Sequence, residues 1–479
     1  MIDILFINPP LAGKRRLREF SSIGSHNPPV NLLYLSAAAE KAGFKSQILD
    51  AEISKFSIGL TVQEILKINP KFVGITAMTL SIETAAVIAK KLKSSDKGIQ
   101  IIIGGIHLTS LPEKTMNDYP HFDIGVIGEG DITIVELLDT LSKNTPLENV
   151  KGIIYRTGNK IKITDARCFI EDLDELPFPS FHLLQNFPNK YRPSIQKFRR
   201  MPSSILLTSR GCPYKCIFCD SKGLKNSYRS YSVKYIISLI KYLQANYKIK
   251  DINFHDDTFT LYRHKIIEFC NTILSEKIDL TWSCQTRADL VDFELLSLMK
   301  KSGCWSIAFG IESGSQKILD FIKKGTKIQT IKGAVDSASK AGLETIGFIV
   351  IAPPAETKET MEETINFIKE LNLTYILPLY FTPFPNSDSY EKIEEFGTLE
   401  KDWDKFTTFD LVFIPKGLSK EVLLDYKQRI YREFYLRPKT VLKFIKKIIH
   451  GYSWRKLILE CLIFIKISMK NIFSKQEKM

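Results

Sequence analysis

Three of the eight cysteines in this 479-residue sequence lie within eight consecutive positions. Cys212, Cys216 and Cys219 have the spacing C-x₃-C-x₂-C in the segment TSRGCPYKCIFCDSK. Cysteine thiolates hold iron–sulfur clusters, and a cubane cluster that the protein seals completely takes four of them. Three thiolates leave one iron with an open coordination position, as at an open catalytic zinc. The spacing therefore predicts a cluster that binds a further ligand.

The alternatives are a zinc site and a chance grouping of cysteines. Zinc requires a fourth Cys or His at short spacing. The next cysteines along the chain, Cys270, Cys284 and Cys304, each lie in or beside a different predicted element. An iron–sulfur site is therefore the favoured interpretation.

Polar residues follow the predicted strands downstream of the cysteines, at the carboxyl end of each strand. They are His255, Asp256 and Asp257 in INFHDDTF, Thr286 and Arg287 in SCQTRAD, Glu312 and Ser313 in FGIESGS, and Glu356 in IAPPAET. Each one alone is as typical of a helix cap as of a binding site. Because the strands of a barrel all end at one face, we expect these residues to surround one site.

The elements that must position these residues begin with a first domain over residues 1–140. Short apolar runs alternate there with helix-like segments, as in βαβ units. The runs are IDILFIN, SQILD, FVGITAM, IQIIIGG and FDIGVIG. This pattern predicts a Rossmann-like, doubly wound parallel sheet, which binds ligands beyond the carboxyl ends of its strands.

Residues 141–200 are predicted to connect this domain to a second one. They contain a hairpin, GIIYRTGNKIKITD, with the turn signal Gly158-Asn159. Six more strand candidates, separated by helical segments, follow in residues 201–400: SSILLTS, DINFHD, DLTWSCQ, WSIAFGI, ETIGFIVI and LTYILPLYF. Six successive βα units favour a partial (β/α)₆ barrel of the TIM type, and a second doubly wound sheet is the alternative. Residues 401–479 are predicted to form a helical carboxyl-terminal region.

The net charge of +14 is distributed unevenly, because residues 437–479 hold eleven Lys and Arg against two Glu. These charges alternate with apolar residues at helical spacing, so a nucleic-acid-binding surface is not predicted. A basic amphipathic helix of this kind lies on an anionic membrane surface, or it packs on the barrel with its lysines in solvent. The run LILECLIFIKISM is too short and too charged to span a bilayer.

Cysteine use and the amino terminus predict a cytoplasmic protein, with membrane association as the variant that the tail suggests. Eight clustered cysteines in so long a chain indicate metal ligation in a reducing compartment, not a disulfide framework. The start MIDILFINPP has neither the basic region nor the cleavage site of a secretory signal.

The segment CPYKCIFC resembles the signature loop of the radical S-adenosylmethionine (SAM) enzymes, C-x₃-C-x-aromatic-C, with Phe218 as the aromatic residue. The resemblance implies that Cys212, Cys216 and Cys219 bind a [4Fe–4S] cluster whose open iron is chelated by SAM. It also implies that an electron from the cluster cleaves SAM to a 5′-deoxyadenosyl radical, and that a flavodoxin or ferredoxin supplies the electron.

The same resemblance extends to the later strand ends, notably F-x-D-D-x-F and G-I-E-S. It implies SAM contacts from Phe218, Asp256, Asp257, Arg287, Glu312, Ser313 and Glu356. The sequence departs from the family where Ala-Pro-Pro-Ala-Glu-Thr replaces Gly-x-Pro-Gly-Glu-Thr. A close backbone approach of the ligand at that point is therefore in doubt.

The first domain resembles the cobalamin-binding domain of the radical SAM class that includes the anaerobic Mg-protoporphyrin ester cyclase and many C-methyltransferases. The segments that carry this resemblance are INPP, PPVNLLYLSAAAEKAGF, VGITAM, IIIGGIHLTSLPE and VIGEGD. It implies cobalamin contacts from Thr76, Gly104, Gly105, His107 and Glu129. The motif Asp-x-His-x-x-Gly, which ligates cobalt from below, is replaced by NPPLAGKRRLREF. A Rossmann-like domain that has lost its ligand is the alternative.

The predicted activity is cobalamin-dependent methylation of an unactivated carbon, and radical ring closure or carbon–carbon bond formation is the second enzymatic outcome. A non-catalytic Fe–S or zinc protein is the alternative from another class. A methylthiotransferase is disfavoured, because residues 1–200 contain only Cys168. The predicted partner is a small-molecule or lipid-like substrate. The tail and the aromatic residues near the last barrel strand, in YILPLYFTPF, favour a large hydrophobic one such as a lipid or a tetrapyrrole.

Overall fold

The computed structural model describes residues 1–11, 26–194, 197–220 and 228–449, and of residues 446–449 the backbone alone. The first domain is built on a seven-stranded sheet with strand order β2-β1-β3-β4-β5-β6-β7. Its strands are β1 Ile4–Asn8, β2 Ser46–Asp50, β3 Phe72–Thr76, β4 Gln100–Gly104, β5 Ile124–Val126, β6 Ile153–Thr157 and β7 Lys160–Ile163. Its helices are α1 Val30–Lys41, α2 Ile58–Ile68, α3 Ile82–Ser95, α4 Ile106–Ser110, α5 Pro112–Asp118 and α6 Gly130–Lys143.

Strands β1 to β5 are parallel and covered on both faces. In β1 the side chains of Ile4 and Phe6 belong to one buried cluster, whereas Leu5 and Ile7 belong to another. The sequence of a strand that is buried on both faces is a continuous apolar run, and ILFI is such a run. The strand order changes direction at β1, so the switch point between β1 and β3 is where a sheet of this kind binds ligands.

The hairpin that the sequence places in the connector belongs to the first sheet. Strand β6 pairs antiparallel with β5, and β7 pairs antiparallel with β6. Ile153 and Ile154 are both buried, so β6 covers the edge of β5 with apolar side chains on both faces. The turn is at Gly158, whose φ of 58° is readily adopted by glycine.

The second domain is a six-stranded parallel sheet with strand order β15-β14-β13-β12-β11-β8. Its strands are β8 Ser203–Leu206, β11 Asp251–Phe254, β12 Thr281–Thr286, β13 Cys304–Glu312, β14 Glu344–Ile351 and β15 Tyr375–Tyr380, and a two-stranded ribbon of β9 Ser209–Arg210 and β10 Arg229–Ser230 follows β8. The helices are α7 Val233–Tyr247, α8 Arg263–Ser275, α9 Phe293–Lys301, α10 Gln316–Phe321, α11 Ile328–Lys340 and α12 Lys358–Glu370. Neighbours in the sheet follow one another along the chain, as in a barrel wall. The prediction of a partial (β/α)₆ barrel is confirmed.

The carboxyl-terminal region packs against the barrel. It consists of a short ribbon of β16 Gly397–Leu399 and β17 Phe413–Pro415 and of the helices α13 Lys420–Tyr435 and α14 Pro438–Ile449. The Arg437 guanidinium between the two helices donates to the carbonyl oxygens of Ile368, Lys369 and Leu371, which fixes the start of α14 at the end of α12. Among the described residues, no helix has both the length and the apolar character needed to cross a membrane. The predicted segment LILECLIFIKISM lies outside the described residues.

Candidate functional site

The three clustered cysteines lie on one loop at the carboxyl end of the first barrel strand. We call residues 211–220 the cysteine loop. Cys212 and Cys216 are buried and Cys219 is partly buried. The loop is anchored at both sides, because the amide of Ile217 donates to the carbonyl of Ile322 and the carbonyl of Ile217 accepts from the amide of Ser389.

Burial raises the pKa of the Cys216 thiol, and the nearby cations of Lys324 and Arg287 oppose that effect only in part. Metal binding at such a loop displaces thiol protons and is therefore coupled to pH. The described residues contain no group of three His, Cys, Asp or Glu side chains arranged to hold a single metal ion. In a [4Fe–4S] cluster each thiolate binds a different iron, so its ligands do not meet at one point.

Asp256 lies beside the root of the cysteine loop, with one carboxylate oxygen fully used and the other without a partner. Its Oδ1 accepts hydrogen bonds from the Thr208 amide and hydroxyl, both at 2.9 Å, and from the Ser209 hydroxyl at 2.5 Å. Its Oδ2 is buried and has no hydrogen-bond donor. Burial raises the pKa of this carboxyl to about 6. The neighbouring Asp257 is exposed to solvent, although surrounding protein atoms raise the pKa of its carboxyl as well.

Arg287, after β12, is also buried with one nitrogen unused. Its guanidinium donates to the Asp289 carboxylate at 3.0 Å from two nitrogens and to the Thr326 hydroxyl at 2.8 Å. It also covers the ring of Tyr214 in the cysteine loop, 3.7 Å from the ring centroid. Its remaining Nη1 is buried without an acceptor. The structure thus places an unpaired acceptor, Asp256 Oδ2, and an unpaired donor, Arg287 Nη1, around the same loop.

The other strand-end residues already have protein partners. Glu312 accepts from the Lys324 ammonium at 2.7 Å, and both side chains are buried. The Ser313 hydroxyl accepts from the Ser315 amide at 3.1 Å, in the manner of a helix cap. Glu356 accepts from the Thr360 hydroxyl at 2.6 Å in the first turn of α12, and burial raises the pKa of its carboxyl to about 7.

The remaining residues that the sequence analysis named around the barrel are Thr286, Phe218 and His255. The Thr286 and Thr260 hydroxyls are 2.5 Å apart. Phe218 is partly buried against the apolar cluster formed by Phe381, Ile393 and Phe413. Burial, with a smaller effect from Lys197, lowers the pKa of His255 to about 4, so this imidazole is neutral at physiological pH.

A second row of predicted residues lies at the carboxyl edge of the first sheet. The Thr76 hydroxyl at the end of β3 accepts from the Asn31 amide nitrogen at 3.0 Å. A side chain added at Gly104 would meet no heavy atom within 4 Å, whereas one at Gly105 would lie 2.5 Å from the Ala77 carbonyl oxygen. Gly104 therefore borders open space. Position 105 requires glycine, because the backbone of Ala77 lies too close to leave room for a side chain.

His107, just beyond these glycines, is 2% exposed and its Nδ1 has no partner. Burial lowers the pKa of its imidazole to about 4, so it is neutral. Its ring packs edge-on against Trp403 of the carboxyl-terminal region, with centroids 5.4 Å apart. Trp403 thus brings the third region of the chain to this edge.

The Glu129 carboxylate faces arginines of the second domain. It accepts from two nitrogens of Arg229, at 2.9 and 2.7 Å, and from the Ile170 amide at 3.2 Å. Arg210 is 3.5 Å away. Burial raises the pKa of this carboxyl, but the hydrogen bond from Arg229 and the charge of Arg210 outweigh burial and hold the pKa below its usual value.

Sequence reasoning missed Lys324, Trp403, Asp131 and Arg229, and it did not connect Arg210 with the first domain. Except for Lys324, each contacts a partner far away in the chain, and none has a spacing that marks it. Lys324 differs from the others, because it follows the predicted site residue Glu312 on the same βα unit. A buried carboxylate requires a cation, and this requirement is the signal that could have identified Lys324.

Two family models match the chain. The model of the radical SAM superfamily matches residues 206–368, and that of the B12 binding domain matches residues 20–138. An uncharacterized methyltransferase of Pyrococcus horikoshii is 34% identical over 96% of this chain and 97% of its own. The anaerobic magnesium-protoporphyrin IX monomethyl ester cyclase of Rubrivivax gelatinosus is 27% identical over 95% of this chain and 81% of its own.

Solved structures show the same fold. The cobalamin-dependent SAM radical enzyme OxsB, with aqua-cobalamin and SAM bound, superposes with a TM-score of 0.74 at 17% identity over 98% of this chain and 72% of its own. The radical SAM methyltransferase TsrM of Kitasatospora setae, with cobalamin and a [4Fe–4S] cluster bound, gives a TM-score of 0.67 at 17% identity over 82% of this chain and 78% of its own. Together with the domain matches and the full-length relative, these similarities establish that the chain is an enzyme of the radical SAM superfamily that carries a B12-binding domain ahead of its barrel.

Proposed function

We propose that this enzyme methylates an unactivated carbon of its substrate with the aid of SAM, a [4Fe–4S] cluster and cobalamin. The observation that carries the proposal is the contact between the carboxyl edges of the two sheets. Asp131, beyond the end of β5, is 2.7 Å from Arg210, which lies two residues before the first cysteine. A methyl-carrying cofactor on one edge and a SAM-bound cluster on the other would therefore be adjacent.

In this proposal Cys212, Cys216 and Cys219 hold the cluster. When bound, the cluster supplies the electron that cleaves SAM to a carbon radical, and cobalamin supplies a methyl group. The residues around the loop bind and orient SAM, and they exclude water from the site. Arg287 and the Lys324–Glu312 pair keep the surroundings of the negatively charged cluster near neutrality.

The two unpaired buried atoms fit the amino-acid part of SAM. Asp256 Oδ2 is an acceptor without a donor, which suits an ammonium group, and Arg287 Nη1 is a donor without an acceptor, which suits a carboxylate. Phe218 is proposed to contact the adenine, and Asp257, Ser313 and Glu356 are proposed as outer contacts. The buried Glu312 acts through Lys324.

Thr76, Gly104, Gly105 and His107 are proposed to border cobalamin. The open space at Gly104 accepts a large ligand, and the neutral His107 with its unpaired Nδ1 offers a hydrogen-bonding atom without a charge. The Glu129 backbone turn borders the same edge, whereas its carboxylate is occupied by arginines. Cobalt is proposed to have no ligand from the segment NPPLAGKRRLREF after β1, which contains no histidine.

The barrel interior supports a substrate with a substantial apolar part. Ile346, Phe348 and Val350 alternate along β14 and are partly exposed, whereas the residues between them are buried. Leu377 and Leu379 lie beside Phe348 and Val350 in β15 and are also partly exposed. Alternate residues of a strand face the same side, so these five form an apolar wall.

The strands β11 and β12 present a polar, uncharged wall instead. Asn253, His255 and Gln285 are partly exposed there, and the Asn253 amide donates to the Ser283 hydroxyl at 2.6 Å. An amphiphilic substrate, of which a lipid is one kind, fits an apolar wall and a hydrogen-bonding wall in the same barrel. An aqueous and an organic extract of the same cells, each offered with CD₃-labelled SAM, test this class. We expect the deuterated product in the organic extract, and a product in the aqueous extract alone would contradict it.

The carboxyl-terminal tail is proposed to bring the enzyme to an anionic membrane surface, where such a substrate resides. Helix α14 exposes Val441, Leu442 and Ile445, and Lys439 is exposed one turn before Leu442. An exposed apolar stripe flanked by cations is typical of helices that lie in the interface of a bilayer. A flavodoxin or ferredoxin is proposed as the electron donor.

Radical ring closure is the second candidate function, because the cyclase of Rubrivivax gelatinosus is similar over 95% of this chain. The deciding experiment uses anaerobic, full-length protein reconstituted with iron, sulfide and hydroxocobalamin, then given CD₃-labelled SAM and a reductant. We expect 5′-deoxyadenosine together with transfer of the CD₃ group to cobalamin, both detected by mass spectrometry. Release of 5′-deoxyadenosine without labelled cobalamin would favour the cyclase, and release of neither would overturn the proposal.

A further inference from the structure

The cysteine loop is closed at its base by the short ribbon of β9 and β10. Ser209 pairs with Ser230, and Arg210 pairs with Arg229, in antiparallel register. All three cysteines lie between the two strands of the ribbon along the chain. The ribbon therefore fixes one root of the loop, in addition to the anchors at Ile217.

Both arginines of the ribbon contact the first domain. Arg210 donates to the Asp131 carboxylate from two nitrogens, at 2.7 and 3.1 Å, and Arg229 donates to the Glu129 carboxylate from two nitrogens, at 2.9 and 2.7 Å. A distance of 3.5 Å between Arg210 and Glu129 joins the two pairs into one network. Bidentate arginine–carboxylate pairs of this kind fix direction as well as distance.

The network is shielded from solvent, so its geometry is restrictive. The side-chain exposures are 17% for Arg210, 5% for Asp131, 12% for Arg229 and 9% for Glu129. In such surroundings, removing one partner leaves a buried charge uncompensated. The first domain supplies both carboxylates from a single turn at the carboxyl end of β5, the edge where we propose that cobalamin binds.

Aromatic rings support the same contact. Tyr34 of α1 stacks on Tyr231, with ring centroids 6.1 Å apart, and Tyr231 stacks on Tyr235. The Arg210 guanidinium lies over the Tyr34 ring at 5.5 Å. The ribbon is thus held by first-domain residues through charge and through ring contacts.

We propose that Glu129 and Asp131 are positioning residues for the iron–sulfur cluster: through Arg229 and Arg210 they set the cysteine loop relative to the cobalamin edge of the first domain. This inference rests on the proposed function, because it assumes that the three cysteines hold a cluster. Reacting groups must approach to about 3–3.5 Å, and an error of about 1 Å lowers rates by about a hundredfold. Two cofactors carried by two domains therefore need a fixed contact between those domains, and the carboxylate–arginine network provides one.

The test uses the full-length double variant Glu129→Gln/Asp131→Asn, which keeps the shapes of both side chains and removes their charges. The control is Glu136→Gln. Glu136 lies on α6, the helix that also contains Asp131, and the variant breaks its bidentate ion pair with Arg167 without touching the ribbon. Hydrogen–deuterium exchange is measured on the peptides that cover residues 203–220 and on those that cover β1 to β4. Electron paramagnetic resonance of the reduced, reconstituted cluster is recorded with and without SAM.

In the double variant we expect amides of the cysteine loop to exchange about tenfold faster while β1 to β4 keep their wild-type rates. We also expect iron content to be retained but the cluster signal to broaden and its shift on SAM addition to be lost. The control should match the wild type in both measurements. Wild-type exchange in the loop of the double variant, or an equal acceleration throughout both domains, would overturn the inference.

The exchange measurement is made on protein without cluster as well. If the wild-type chain failed to bind iron, the proposed function would fail, while the exchange data would still show whether the carboxylates hold the loop. If iron bound normally and the loop did not respond to the double variant, the positioning role alone would fail.

Discussion

At the scale of single residues, Cys216 is one of the three positions on which the proposed cluster depends. It is buried in the middle of the cysteine loop. Cys216→Ser should reduce bound iron from about four per chain to nearly none, because a hydroxyl is a poor ligand for iron in such clusters. Iron and sulfide assays after anaerobic reconstitution measure this effect.

Cys168→Ser is the matched control, because Cys168 is exposed and lies outside the loop. It should retain the full iron content. Iron retention by Cys216→Ser, with the characteristic absorption of a [4Fe–4S] cluster, would contradict the assignment of the three cysteines.

The buried carboxyl of Glu356 is expected to lower the free energy of unfolding as the pH rises. Burial raises the pKa of its carboxyl from 4.5 to about 7 in the folded chain. A raised pKa means that the folded state favours the protonated acid, so the stabilising contribution is present below about pH 4.5 and is lost as the pH rises through 7. At 1.36 kcal/mol per pKa unit, the loss amounts to about 3 kcal/mol.

Glu356→Gln cannot ionise, so the variant should lose less stability than the wild type between pH 5 and pH 8.5, by up to about 3 kcal/mol. Urea unfolding at the two pH values measures the difference. Glu359→Gln, on the exposed side of the same helix turn, should keep the wild-type pH dependence. An identical pH dependence for Glu356→Gln and the wild type would show that this carboxyl does not titrate near neutrality.

The residues that the sequence identified best are those whose chemistry depends on spacing along the chain. The three cysteines and Asp256 follow short motifs, and the structure places them around one loop. No sequence pattern indicates that Arg210 and Arg229 contact Glu129 and Asp131, because that network joins positions 79 to 100 residues apart. Lys324 lies only twelve residues after Glu312, but no motif marks it, and its contact with the buried carboxylate forms only in the folded barrel.

At the scale of secondary structure, the parallel strands were predictable because each is an apolar run of three to nine residues followed by turn residues. The predicted run ETIGFIVI coincides with β14, and SQILD coincides with β2. The hairpin of β6 and β7 was predicted as a hairpin, but its partner was not. Whether a hairpin stands alone or extends a sheet depends on an edge strand elsewhere, here β5.

The turn after β4 leads to a prediction that separates two adjacent glycines. Gly105 has a φ of 101°, and a side chain there would lie 2.5 Å from the Ala77 carbonyl oxygen, so Gly105→Ala should destabilise the protein by about 2 kcal/mol or more. Gly104→Ala meets nothing within 4 Å and should change stability by less than about 0.5 kcal/mol. Its methyl group would instead project into the space proposed for cobalamin.

Thermal unfolding of the cofactor-free variants and cobalamin content after reconstitution measure the two effects. We expect Gly104→Ala to unfold like the wild type and to retain less cobalamin. Full cobalamin retention by Gly104→Ala would remove Gly104 from the proposed binding edge, and wild-type stability of Gly105→Ala would show that the turn adapts.

At the scale of the whole molecule, the fold class was predictable from the alternation of strands and helices, but the contacts between distant parts of the chain were not. Trp403 of the carboxyl-terminal region packs on His107 of the first domain, nearly three hundred residues away in the chain. Such contacts arise from surfaces that form only after each unit has folded. They determine the site here, because the proposed cofactor edges belong to different units.

The tail is the part of the molecule whose role is open to the simplest test. Leu442 and Ile445 of α14 are 57% and 44% exposed, and Lys439 is exposed one turn before Leu442, whereas Lys443 donates to the carbonyl oxygens of Asn372 and Leu373. Burying an exposed leucine or isoleucine contributes about 1.5–3 kcal/mol, so Leu442→Ser/Ile445→Ser should weaken binding to phosphatidylserine-containing vesicles by at least about tenfold. Vesicle flotation at low salt measures the binding, and the wild type should float less as salt rises because its lysines are screened.

Leu60→Ser/Val87→Ser is the matched control, because these apolar residues are exposed on the first domain, away from the tail. It should float like the wild type. A second reference is neutral phosphatidylcholine, to which the wild type should bind more weakly because the lysines find no anionic partner there. If the wild type floated with neither vesicle, or if the α14 variant floated as well as the wild type and unfolded at lower temperature, the apolar stripe would be a packing surface of the protein itself. The proposed membrane contact would then fall, while the assignments at the two cofactor edges would stand.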